Sequence, residues 1–143
     1  MELTLLIDTS SEFGQRVARR LSEEPIAWFT TVSKAGTPQP RPVWFLWNGQ
    51  TFLIFSQPQG YKVQHLRANP NVSLHLDGDG QGGDIIVFVG EAHLEEKPVP
   101  KADLEAYIKK YRDGLKRIGM TPDTFVEIYQ TVIRITPSKL RGH

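Results

Sequence analysis

Apolar positions in the middle of the chain recur every second residue, and on either side of that block they recur every third or fourth. Alternation predicts strands and the longer spacing predicts helices. The strand-like runs are "IAWFTTV" (26–32), "RPVWFLW" (41–47), "TFLIFS" (51–56), "VSLHLD" (72–77), "IIVFVGEAHL" (85–94) and "TVIRIT" (131–136). "KAG" reads as a turn after the first run, and Asn48-Gly49 is the strongest short hairpin signal in the chain. Pro40 and Pro42 have no amide hydrogen, so the second run belongs at a sheet edge or a bulge. Gly90 marks a bulge in the fifth run. The glycine-rich "GDGQGGD" reads as a plain hairpin connection, and "PSKLRGH" reads as a tail.

Helical spacing comes first at residues 10–23, where Phe13, Val17 and Leu21 form one stripe before Pro25. "TSSE" has capping-box spacing, with Thr9 as cap and Glu12 reaching back. A second, short helix of one or two turns carries Val63, Leu66 and Arg67 and ends at "NPN". A third spans residues 101–119 with Leu104, Tyr107, Ile108, Tyr111 and Leu115 on one side and Gly119 as its cap. Pro122 fits the first position of a last helix ending near Tyr129. The order is helix, strands, helices, strand. It predicts an α+β fold, a β-barrel or curved sheet with helices outside it. No repeat or linker divides the chain, so residues 1–143 are expected to form a single domain.

Charge and composition narrow the function. The net charge of +1, from 17 basic and 16 acidic residues, argues against a nucleic-acid binder, which needs a basic stripe. Cysteine is absent, which removes disulfides, thiolate metal sites and cysteine nucleophiles. No long apolar span suggests a membrane helix. "LTLLI" after Glu2 is too short for a signal-peptide core, and the expectation is a cytoplasmic protein. His65, His75, His93 and His143 lack metal-ligand spacing, so no metal is expected. No catalytic residue stands out. If the protein is an enzyme, a bound cofactor supplies the chemistry.

One junction does carry a chemical signal. In "FSQPQGYKVQHL" (55–66) a strand ends on Ser56, turns through Pro58 and Gly60, and gives way to a helix with Lys62 in its first turn. A helix N-terminus offers free amides and partial positive charge to an anion, and Lys62 adds a full charge. On residue types alone, the reading of Lys62 as a solvated helix residue stands ahead of the anion seat.

The stretch from Ile26 to Leu94, with its ordered series of strand, "PVWF", Asn-Gly turn, Ser, Lys, Leu, "NP" and "VSL", resembles the flavin-binding split-barrel family related to pyridoxamine 5′-phosphate oxidase. Within it the chain looks closest to the branch of reductases that use the deazaflavin coenzyme F-420, and "RITPSKLRG" resembles that branch's last strand and tail. The resemblance implies a six-stranded antiparallel split β-barrel with peripheral helices, a homodimer with cofactor at its interface, and no membrane or nucleic-acid partner. It implies hydride transfer between F-420, or alternatively FMN, and a small organic substrate. The rival readings are a flavin- or deazaflavin-binding protein without turnover and an FMN-dependent oxidase of the pyridoxamine phosphate type. Carried over by residue, Lys62 grips the cofactor phosphate, Ser56 and Gln57 line it, and Arg41, Pro42, Val43 and Trp44 border the ring system. Tyr61 stands where many members have serine, keeping a hydroxyl. "KVQHL" stands where many have "K-V-R-N-L", which removes an auxiliary arginine. The Arg–His pattern of the vitamin oxidases near the C-terminus is absent, which stands against vitamin B6 oxidation.

Overall fold

The computed structural model describes residues 6–143, so Glu2 and most of the opening apolar run lie outside the described residues. Helix α1 (Glu12–Glu23) leads into strands β1 (Ala27–Val32), β2 (Pro38–Val43), β3 (Leu46–Trp47) and β4 (Phe52–Ser56). Helix α2 (Tyr61–Ala68), β5 (Asn71–His75) and β6 (Ile86–Leu94) follow, then α3 (Lys101–Lys110), α4 (Arg112–Arg117), α5 (Pro122–Ile128) and β7 (Thr131–Gly142). The strands form one antiparallel sheet in the order β2-β1-β5-β6-β7-β4-β3.

Among the described residues there are seven strands rather than six, because the run over 41–47 breaks at Trp44 and Phe45. Its two pieces, β2 and β3, are the opposite outer edges of the sheet. Three residues of extended chain reach at most about 11 Å. The step from Val43 to Leu46 therefore forces the two edges together at one corner, and the sheet curls into a split barrel. Tyr111 ties that corner: its hydroxyl accepts from the Phe45 amide at 2.8 Å and donates to the Pro25 carbonyl at 2.7 Å. Lys110 adds a bond from Nζ to the Phe45 carbonyl at 2.9 Å.

Alternation survives the break. Val43 and Phe45 belong to the barrel core with Phe29, Phe52, Phe88, Leu74, Ile86 and Ile133, and Trp47 packs against it. Val17 and Leu21 of α1 join the same core. Leu46, Leu53 and Val132 face the other way, under Tyr107, Tyr111, Leu115 and Phe125 of α3 to α5. Trp44 goes with this second cluster. Its indole stacks on Tyr111, with centroids 4.5 Å apart and planes 6° from parallel.

Several boundaries move for local reasons. Ser11, not Thr9, caps α1, accepting from the Gly14 amide at 2.9 Å, so Glu12 opens the helix instead of closing a capping box. The helix expected over 101–119 kinks at Tyr111, the residue whose hydroxyl is anchored to the barrel corner. Gly119 ends α4 with φ +73°, and Thr121 and Pro122 begin α5 as a cap and first position. The expected tail is strand: β7 continues to Gly142, pairing with the start of β6. Its side chains beyond Ile135 are mostly exposed, so composition alone read as tail. Gly90 sits at a register shift, where an added methyl would strike the Thr136 carbonyl. The 78–84 loop is the hairpin connection expected. Asp79 accepts from the Gln81 and Gly83 amides. Pro38, Pro40 and Pro42 lie on an edge strand, as a missing donor requires.

Candidate cofactor site

β2 and α2 together make a polar pocket. In the β1–β2 register Thr31 lies opposite Gln39 and Phe29 opposite Arg41, which puts Gln39 and Arg41 on one face beside Thr31. α2 supplies Tyr61, Lys62 and His65 from the other side, enclosing a cavity of about 310 Å³. No side chain caps the N-terminal amides of α2, and no acidic residue stands in its first turn. Lys62 is half-buried, and burial first, then the neighbouring Arg41, holds its ammonium below the usual lysine range. Among the described residues neither cation has a carboxylate partner, and no carboxylate lines the pocket. Thr31 Oγ1 lies 2.7 Å from His65 Nδ1, fixing that ring at the wall. Two cations, an imidazole, hydroxyls and free helix amides suit a phosphate.

A second cavity, about 220 Å³, adjoins the first through Lys62. Its walls are Pro42, Val43, Trp44 and Phe55 of the barrel with Tyr107, Ile118, Phe125 and Tyr129 of the helices. Lys62 thus stands between an anion-seeking pocket and an aromatic slot.

Of the residues singled out from sequence, Arg41, Tyr61 and Lys62 meet in the pocket, while Pro42, Val43, Trp44 and Lys62 line the slot. Ser56 and Gln57 border neither. Ser56 is 5% exposed, and its nearest hydrogen-bond acceptor is the Gln57 carbonyl at 3.5 Å. Thr31, Gln39 and His65 were not foreseen as a group, though the alternation that links Gln39 and Arg41 was readable. Tyr107 read only as part of a helix stripe and Tyr129 as a helix end, and Phe125 was not singled out. Among the described residues no three His, Asp or Glu side chains cluster as a metal site requires, and no helix is long and apolar enough to cross a membrane.

A curled antiparallel sheet closed at one corner, with a cationic pocket beside its edge strand, is a split barrel. The profile of the pyridoxamine 5′-phosphate oxidase family matches residues 13–143, and the chain belongs to that family, whose members typically bind flavins. No curated protein is significantly similar in sequence. Solved structures share the fold. A conserved hypothetical protein from Mycobacterium tuberculosis superposes with a TM-score of 0.68 at 20% identity, over 99% of this chain and 88% of that one. An F-420 reductase gives 0.64 at 21% identity, over 86% and 94% of the two chains. The heme storage protein HutZ from Vibrio cholerae gives 0.65 at 16% identity, over 92% and 95%.

Proposed function

We propose that this protein is a homodimeric oxidoreductase that binds F-420 or FMN and moves a hydride between that cofactor and a small organic substrate. The observation that carries the reading is the junction at Lys62, where a carboxylate-free cationic pocket meets an aromatic slot. A ligand whose phosphate sits in the pocket can lay a flat ring along the edge strand outside the slot, which leaves the slot to a smaller substrate. Arg41 and Lys62 hold the phosphate with the α2 amides, and the strand from Arg41 to Trp44 borders the ring. When bound, the cofactor supplies the hydride chemistry. The chain orients the ring and excludes water, through Pro42, Val43 and Trp44. The sequence resemblance and the F-420 reductase among the structural relatives favour F-420 over FMN.

Protein purified from its natural source should carry the absorbance spectrum of its cofactor. Titration with F-420 and with FMN then ranks the two, and reduced cofactor mixed with candidate acceptors tests turnover. Tight binding without turnover under any acceptor would make it a carrier. Failure to bind either cofactor would remove the proposal.

A further inference from the structure

The aromatic slot is lined by a tyrosine, Tyr107, whose hydroxyl bonds to no other group among the described residues. Tyr107 is 1% exposed, and its ring packs on Phe55, Tyr111 and Phe125. Tyr111, one turn along, uses its hydroxyl to join Phe45 and Pro25. The Tyr107 hydroxyl makes no such bond among the described residues, and Tyr107 lines the slot. A phenol hydroxyl with no acceptor in the protein gains by meeting one inside the cavity it lines. Burial, with Tyr111 and Tyr129 adding to it, pushes this phenol well above its ordinary range, so it stays a donor at neutral pH.

Size and lining limit what that acceptor belongs to. An apolar cavity of about 150 Å³ holds benzene. The slot, at about 220 Å³, has room for one ring with a small substituent, not for a tricyclic cofactor. Trp44, Phe125 and Tyr129 offer ring faces, and no carboxylate lines the slot.

We propose that the slot binds a small, uncharged, single-ring conjugated compound whose carbonyl oxygen accepts a hydrogen bond from Tyr107 Oη. That this ligand is the substrate class rests on the oxidoreductase reading above; the binding itself does not.

Acetophenone and α-methylstyrene differ only in C=O against C=CH₂, and both can be titrated by ligand-observed NMR into cofactor-free protein. The parent should prefer acetophenone by roughly fivefold to tenfold, the range of one neutral hydrogen bond. Tyr107→Phe should abolish the preference while leaving α-methylstyrene affinity in place and the melting temperature no lower, since the hydroxyl holds no protein group. Ile118→Trp, at a lip position 46% exposed, should weaken both ligands. A parent without preference, a preference kept in Tyr107→Phe, or no binding of either compound would overturn the proposal. So would benzoate binding more tightly than acetophenone, because recognition would then belong to Lys62. FMN titrated into the same preparation reports separately on the cofactor reading.

Discussion

Lys62 and Arg41 face one pocket with no carboxylate between them, an arrangement unfavourable until an anion arrives. Lys62→Ala should weaken F-420 or FMN binding by roughly one to two powers of ten, the worth of one charge-assisted bond. The ligand-free variant should melt no lower than the parent, because the folded state already disfavours that charge. Lys116→Ala, on the exposed side of α4, should leave affinity unchanged. Equal affinity in Lys62→Ala and parent would make the lysine a solvated helix residue. Lys110 gives a pH-dependent counterpart. Its Nζ lies 3.6 Å from the Phe45 ring centroid, and burial, partly offset by Glu24, lowers its pKa to about 8. An unfolded lysine titrates near ~10.4, so between those values the unfolded chain binds more protons and stability rises with pH. Below about pH 8 the cost of the buried charge is fully present. The melting-temperature difference between the parent and Lys110→Met should therefore move in the parent's favour from pH 7 to about 9.5, below the tyrosine range. A flat difference would mean the ammonium is well solvated.

Among the elements, α3 has the widest reach. It carries Tyr107 into the slot, and at its end Lys110 and Tyr111 grip the corner where β2 passes to β3. Tyr111→Phe removes the acceptor of the buried Phe45 amide and the donor to Pro25. The expected loss is about 1–3 kcal/mol, the usual cost of a buried group left unpaired. Urea denaturation measures it. Because the hydroxyl anchors the ring that backs Trp44, cofactor affinity should fall too, even though Tyr111 lines neither cavity. Unchanged stability would show that the corner is held by packing alone.

At the scale of the whole molecule, the outer face of the sheet carries a broad groove of about 760 Å³, where Val32, Pro38, Val89 and Pro137 lie beside Lys139 and Arg141. We expect a second copy of the chain to cover part of the barrel surface, as twofold dimers are the commonest oligomers. Light scattering at micromolar concentration with cofactor present should give twice the 16.2 kDa chain mass, and a monomer mass would remove this expectation.

Local signals are settled by neighbours within a turn or a hairpin, and these were legible in sequence. The α1 stripe, the Asn48-Gly49 turn, the proline edge, the Gly90 bulge and the Lys62 helix start all depend on a few adjacent residues. The exclusion of disulfides needed only composition. What tertiary structure decided involves residues far apart in the chain. The break at Trp44–Phe45 is invisible in an unbroken apolar run, because its cause is Tyr111, 66 positions away from Phe45. Strand pairing turned a polar tail into half of β7, since backbone bonds to β6 ask little of side chains. The pocket follows the same rule: Lys62 was readable as a helix-start cation, but its company of Arg41 and Thr31 depends on the β1–β2 register and the docking of α2. Ser56, adjacent in sequence to the turn, is buried and lines neither cavity. Tyr107 has the spacing of a core residue, and only the packing of α3 against the barrel leaves its hydroxyl without a partner.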